Sequence, residues 1–236
     1  RYRDSLIMLN RILLVAGLMA ALGASSTFKP EYLQDRPQRL AFDFAWEAQR
    51  LSTRDAEDYA NVRNLLESEQ PMLALYREDV THEAVVDFFV ELTGSPEIAL
   101  PMLYHADREN LSLSLVFSLA WVESRYSPVA VNQNATSTDR GLFQLNSLTF
   151  RDLSEDDFFH PDVNTFHGTQ FLRWCMEHTE SEMQAVACYN AGLTRVRAGR
   201  TPASTLIYVD RISEFRARLE RRFRAYILSE FPSHST

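Results

Sequence analysis

The sequence predicts an all-α fold, or nearly so, and three observations carry that expectation. Glycine (7) and proline (9) are scarce among the 236 residues. Runs of β-branched residues are few, which disfavours a large sheet. Apolar residues recur at helical spacing in one segment after another, several of them bounded by helix start and stop signals. No strand series, internal repeat or low-complexity tract is visible. A short irregular hairpin within 130–146 is the one departure expected.

The elements follow in order. From Ala41 the pattern turns helical, and STRDAEDYANVRNLLES places Ala56, Tyr59, Val62 and Leu65 on one face, with Ser52 or Thr53 as N-cap. THEAVVDFFVELTG opens on Thr81 and closes on Gly94. SPEIALPMLYHADREN begins with Ser95 and carries Pro96 at the first helical position. SLSLVFSLAWVES is an apolar helix that ends near Glu123, and FHGTQFLRWCMEHT is amphipathic. SEMQAVACYNAG has a capping box, Ser181 with Gln184, and Gly192 as its stop. Thr201-Pro202 opens a last long helix that runs to about Leu228.

Composition narrows the function classes. Hydrophobic residues make up 45% of the chain, enough to build a sizeable core. The net charge of −8 argues against nucleic acid as the main partner, because phosphate binding needs a basic excess. The first stretch reads as a sorting segment. Arg1, Arg3 and Arg11 precede an unbroken small-apolar run from Ile12 to Ala24, followed by Ser25 and Ser26. That is the order of a secretory signal, and the run is short of the roughly 20 residues a spanning helix needs. Residues 1–24 are therefore expected to be a signal peptide or an uncleaved N-terminal anchor. Residues 25–40 read as a polar linker, 41–96 as a helical extension and 97–230 as the main domain. Export permits a disulfide between Cys175 and Cys188; two buried apolar thiols are the other reading.

Glu123 stands out. The helix before it is almost wholly apolar, with Leu113, Val116, Leu119, Ala120 and Val122. Partial desolvation disfavours a charged carboxylate. The negative end of the helix dipole disfavours it too. Both push towards a protonated acid, which is what protonation of a leaving oxygen requires. A salt bridge to Arg125 or Arg140 would have the opposite effect, and it is the alternative reading.

The residues downstream add a resemblance. Glu123-Ser124, then Gly141-Leu142-Phe143-Gln144, then Ala187-Cys188-Tyr189-Asn190-Ala191-Gly192, then Tyr208-Val209 within PASTLIYV appear in order. Together they resemble the lytic transglycosylase family, of the soluble, goose-lysozyme-like type, over residues 97–228. Phe143 stands in place of a Met, Cys188 where Ala is common, Ser204 for a frequent Glu, Asn132 where many members have Ser, and Thr136 where Gly is expected in long-loop members. The resemblance implies a lysozyme-like fold, all-α or at most α+β. It implies a murein lytic transglycosylase that cleaves the β-1,4 bond between N-acetylmuramic acid and N-acetylglucosamine and leaves a 1,6-anhydro ring. Glu123 would be its general acid/base. Ser137, Asp139, Gln144, Asn146, Tyr189, Asn190 and Tyr208 would face the glycan, although Tyr208 also reads as a core tyrosine. No cofactor and no metal are implied. The partner is the glycan strand of peptidoglycan, in the periplasm or cell envelope of a bacterium, with 41–96 packing on the catalytic domain or docking it to an envelope assembly. Contact with the membrane is expected only through an uncleaved N-terminal segment.

Asp139 raises a rival. STDRGLFQLNS, residues 137–147, also resembles the segment of c-type lysozymes that bears their second carboxylate. A retaining hydrolase needs such a group about 5 Å from the acid. Asp139 is thus a second catalytic carboxylate, a group that orients the loop, or a partner of Arg140. The second reading is favoured, because the CYNAG and YVDRI motifs follow the transglycosylase pattern and two cysteines cannot form the c-type disulfide set. A muramidase that uses water, or an idle peptidoglycan-binding protein, are the competing functions.

Other signals fall away. THEAVVD lacks the second histidine of a zinc-protease helix, the six histidines are scattered, and neither G-x-S-x-G nor a P-loop occurs. RISEFRARLERRFR, 211–224, reads as a solvated face paired with Glu214 and Glu220, or as a surface for anionic lipid or wall polymer.

Overall fold

The computed structural model describes residues 56–232. The sorting segment expected at 1–24, the linker expected at 25–40, the first part of the expected extension and the caps expected at Ser52 and Thr53 lie outside the described residues. Helices α1 (Ala56–Leu66), α2 (Pro71–Arg77), α3 (His82–Thr93), α4 (Pro96–Arg108) and α5 (Leu113–Ser124) come first. Strands β1 (Val131–Gln133), β2 (Thr138–Arg140) and β3 (Leu145–Asn146) follow. Then come α6 (Glu155–Phe159), α7 (Pro161–His178), α8 (Glu182–Ala191), α9 (Leu193–Arg197) and α10 (Ala203–Glu230).

The fold is mostly helical, as the composition and periodicity imply. The expected hairpin is a small three-stranded antiparallel sheet, in the order β1-β2-β3. Its register aligns Asn132 with Asp139 and Asp139 with Asn146. Three short helices, α2, α6 and α9, were not anticipated; segments of five to seven residues hold too few periodic positions to announce themselves. Caps fall at the expected residues, but not all of them work through side chains. The Thr81 hydroxyl donates to the Leu75 carbonyl (2.6 Å) rather than accepting from α3. Ser181 does accept from the Gln184 amide N–H, yet the Gln184 side chain accepts from the Glu180 N–H instead of closing the box.

Helix α5 is apolar on every side, so it can only be buried. Leu113, Val116, Phe117, Leu119 and Ala120 are fully enclosed, and α5 packs against α10, α4 and α2. The helices before Pro96 share this core. Phe89 of α3 lies 4.0 Å from Phe117 of α5, ring centre to ring centre, and Phe88 meets Phe223 of α10 edge-on at 5.0 Å. Each large-to-small change here would cost about 3–5 kcal/mol. Cys175 of α7 and Cys188 of α8 form a disulfide with Cα atoms 5.8 Å apart, and both sulfurs are buried. Among the described residues no helix is long and apolar enough to cross a membrane.

Candidate active site

Helix α5 ends abruptly just after Glu123. Arg125 and Tyr126 both take left-handed backbone angles (φ 58° and 62°), and the Arg125 N–H closes the last turn on the Trp121 carbonyl. Left-handed geometry is unfavourable without glycine, so something must hold it. Tyr126 is buried and donates its hydroxyl to the Phe117 carbonyl (3.0 Å), which anchors the turn to the helix it leaves.

Glu123 therefore projects from the last turn of a buried helix. It is partly exposed, but the protein around its carboxyl group is as dense as an interior. Burial pushes its pKa from the ordinary 4.5 up to about 8; a hydrogen bond from Tyr208 pulls down, and the charge of Asp139 pushes up. The Tyr208 hydroxyl donates to Glu123 Oε1 at 2.5 Å. Tyr208 and Tyr189 are themselves held well above the usual phenol range, by burial first and by Glu123 next. The salt bridges that would have lowered the Glu123 pKa do not form. The Arg125 guanidinium stacks on Trp121, and Arg140 lies over Phe158.

The floor of the site is built by GLFQ. Gly141 has φ +79°, and a Cβ there would fall 2.2 Å from both the Phe158 carbonyl and Asn164 Nδ2. Asn164 is fully buried on α7. Its Oδ1 accepts from the Phe143 N–H (2.8 Å), and its Nδ2 donates to the carbonyls of Arg140 (3.0 Å) and Phe158 (2.8 Å). Gly168, one helical turn on, leaves room for the Phe143 ring, which a Cβ would meet at 2.3 Å. Neither Asn164 nor Gly168 was read as a site residue; a polar residue on the apolar face of an amphipathic helix was the available signal. Gln144 is left-handed too (φ 48°). Its amide donates to the Gly141 (2.9 Å) and Ala130 (3.2 Å) carbonyls, and Tyr189 donates to the Phe143 carbonyl (2.9 Å). These bonds tie the 130–144 segment together and fasten it to α8.

Asp139 sits at the centre of a separate network. Its carboxylate accepts from Asn146 (2.7 Å), Asn134 (2.8 Å) and Asn132 (3.3 Å) side-chain amides. Asn146 and Asn134 also donate to the hydroxyl of Ser137, which is buried. Asn190 takes a hydrogen bond from the buried Thr205 hydroxyl (2.8 Å), which locks α8 to the start of α10. Of the residues expected at the site, Glu123, Asp139, Tyr189 and Tyr208 come within electrostatic reach of one another. Ser137, Gln144, Asn146 and Asn190 are engaged in holding the loops around them.

Residues 101–206 match the family model of the transglycosylase SLT domain. That stretch is similar to the catalytic domain of lytic transglycosylases. Members of that domain family are enzymes that cleave peptidoglycan and act on the cell wall. The matched stretch runs from within α4 into the first turn of α10 and takes in Glu123, Gln144 and the CYNAG segment. Tyr208, the hydrogen-bond partner of Glu123, lies two residues beyond it. No curated protein and no solved structure matches the chain.

Proposed function

We propose that this chain is a lytic transglycosylase that cleaves the β-1,4 bond between N-acetylmuramic acid and N-acetylglucosamine without water, with Glu123 as its single acid/base. The observation that carries the proposal is the setting of Glu123: burial pushes its pKa up to about 8, which favours the protonated acid near neutral pH, and Tyr208 holds one of its oxygens. The other oxygen is then the one that donates. Glu123 gives its proton to the glycosidic oxygen as the bond to C1 breaks, and the sugar with that oxygen leaves as an alcohol. The carboxylate so formed takes the proton from the C6 hydroxyl of the same muramic acid, whose oxygen bonds to C1 and closes the 1,6-anhydro ring. Glu123 ends protonated, and neither water nor a second carboxylate is consumed. The reaction calls for no cofactor.

Asp139 serves as the loop's organiser in this reading. Both its oxygens already accept amide N–H groups, which leaves a poor nucleophile and a well-fixed loop. Asn146, Gln144, Tyr189 and Asn190 form the polar wall that positions the sugars. A muramidase in which Asp139 assists water is the second reading, favoured by the electrostatic contact between Asp139 and Glu123. The N-terminal segment exports the chain, so the reaction takes place in the periplasm or envelope, and 41–96 braces the catalytic domain.

Mass spectrometry of soluble fragments from purified peptidoglycan tests this, with the parent and the Glu123→Gln variant in parallel. Anhydro-muropeptides from the parent and none from the variant are expected. Products with free reducing ends would transfer the assignment to hydrolysis, and no products from either to a wall-binding protein.

A further inference from the structure

The basic run of the last helix divides into two sets. Arg216 pairs with Glu182 and Glu220, Arg222 with Glu91, and Arg224 with Glu67, so these three fasten helices together. Arg211, Arg218 and Arg221 are exposed and take part in no ion pair among the described residues. Arg218 and Arg221 follow Arg211 by seven and ten residues, so the three share one face of α10. Ile207, four residues before Arg211, opens the same face, with Leu206 beside it. Each of these two large apolar residues is 54% exposed.

A fourth arginine joins the strip from another element. Arg125, just past the end of α5, is exposed. Its guanidinium lies 3.3 Å from the centre of the Trp121 ring, Trp121 stacks on Phe215 of α10 at 4.2 Å, and Arg218 lies 5.7 Å from the centre of the Phe215 ring. Burial lowers the Arg125 pKa most, and the charges of Arg211 and Arg218 lower it further, so these groups are near enough to repel one another. The acids on this part of the helix are Asp210 and Glu214, both exposed and in no ion pair among the described residues. Four arginines against two acids leave the strip positive, in a chain of net charge −8.

Charge of this kind attracts anions in general; the apolar residues narrow the choice. Unpaired arginines in line with exposed large apolar side chains are the composition of a helix face that lies in the plane of a lipid interface. The planar guanidinium fork takes two phosphate oxygens at once. Its apolar stem, and the rings of Trp121 and Phe215 beneath it, suit the boundary between headgroups and acyl chains. An acidic protein would answer the arginines alone and leave Leu206 and Ile207 unexplained.

We propose that the outer face of α10, together with Arg125, docks the folded domain on an anionic phospholipid surface. Arg125, Arg211, Arg218 and Arg221 engage the phosphates, and Leu206 and Ile207 sit at the headgroup boundary. The sequence alone places membrane contact only at the N-terminal segment; this is a second contact, on the folded domain. It is independent of the reaction proposed for Glu123.

The test uses the full chain with vesicles of phosphatidylcholine alone or mixed with phosphatidylglycerol, and sedimentation measures the bound fraction. Each arginine at an anionic surface adds about fivefold to the partition constant, so Arg211→Glu/Arg218→Glu/Arg221→Glu should bind the mixed vesicles about a hundredfold less tightly. Arg→Lys at the same three positions should keep most of the affinity, and added salt should weaken it. Circular dichroism that matches the parent shows that the charge-reversed variant is folded. A local reading separates this surface from the N-terminal segment. An environment-sensitive fluorophore on Ile207→Cys should shift to shorter wavelength on mixed vesicles. One on Glu69→Cys should not, because Glu69 shares a cavity with Arg216 and Phe223 on the other face of the helix. Equal binding of the two vesicles by the parent would overturn the proposal, as would equal binding by the parent and the charge-reversed variant. A silent label at Ile207 on a vesicle-bound chain would overturn it too, and assign the binding to the N-terminal segment. Binding of soluble polyglutamate that is lost with the same three arginines, while the Ile207 label stays silent on vesicles, would make the strip a contact for an acidic protein and overturn the lipid assignment.

Discussion

Tyr208 donates its hydroxyl to Glu123 Oε1 across 2.5 Å, joining the first turns of the last helix to the end of the buried one. This bond favours the charged form of Glu123 and so opposes the effect of burial. Tyr208→Phe should raise the Glu123 pKa above about 8 and leave the carboxyl free to rotate. The alkaline limb of the rate profile then moves to higher pH, while kcat falls about tenfold or more from lost orientation. A profile of kcat/KM against pH for both proteins checks this, and an alkaline limb that stays in place would contradict it.

Asp139→Asn should move the same limb the other way. Removing its negative charge relieves one of the effects that raise the Glu123 pKa, so the limb falls to lower pH. The three asparagine amides that now point at a carboxylate would compete for one carbonyl oxygen, and the loop loses about 1–3 kcal/mol of local stability. KM should rise, and the product should still carry the anhydro ring. Reducing ends that disappear only in this variant would instead make Asp139 a participant in hydrolysis.

The Glu123 pKa also sets a stability trend. A carboxyl whose folded pKa is raised binds more protons when folded than when unfolded, so its contribution falls as pH rises. The loss begins near the unfolded value of 4.5 and levels off above about 8. Glu123→Gln removes the trend. The variant should match the parent near pH 4 and exceed it by about 3–5 kcal/mol at pH 8, measured by urea denaturation at both values.

Much of this site was legible before the fold was known, for a physical reason. Glu123 follows an apolar helix, and an acid there cannot easily stay charged; that is a local property. GLFQ and CYNAG are also local, because they are turns and helix ends with fixed requirements. What stayed hidden depends on contacts between distant segments. Asn164 binds three backbone groups of the 140–158 region, and Gly168 exists to admit Phe143, yet within their own helix both are unremarkable residues. The sequence pattern predicts only a hairpin, because β3 has just two residues and its pairing rests on the Asp139 row. The choice between a salt bridge and a lone acid at Glu123 turned on where Arg125 and Arg140 point. Aromatic rings hold both away.

Gly141→Ala should be among the most damaging small changes available. The new Cβ would collide with a backbone carbonyl and with Asn164, neither of which can move without breaking other bonds, at a φ that alanine disfavours. A loss of about 3 kcal/mol or more is expected. A fall in Tm together with loss of activity would agree. An unchanged Tm would mean the floor of the site is softer than its hydrogen bonds imply.

The disulfide gives the last prediction. Cys175 and Cys188 are 13 residues apart, and the bond ties α7, which carries Asn164 and Gly168, to α8, which carries Tyr189. Closing a loop of that length constrains the unfolded chain by about 3 kcal/mol. Replacing both cysteines by alanine should lower stability by about that amount, plus a share for the lost burial, and melting curves with and without reductant would measure it. Tyr189 follows Cys188 directly, and its hydroxyl holds the Phe143 carbonyl at the floor of the site. Reduction should therefore depress kcat at temperatures where the fold still survives, because the tyrosine loses the fixed helix that aims it. If reduced protein melts earlier but turns over at the full rate below its transition, the bond serves stability alone and the aim of Tyr189 is set by α8 and its packing.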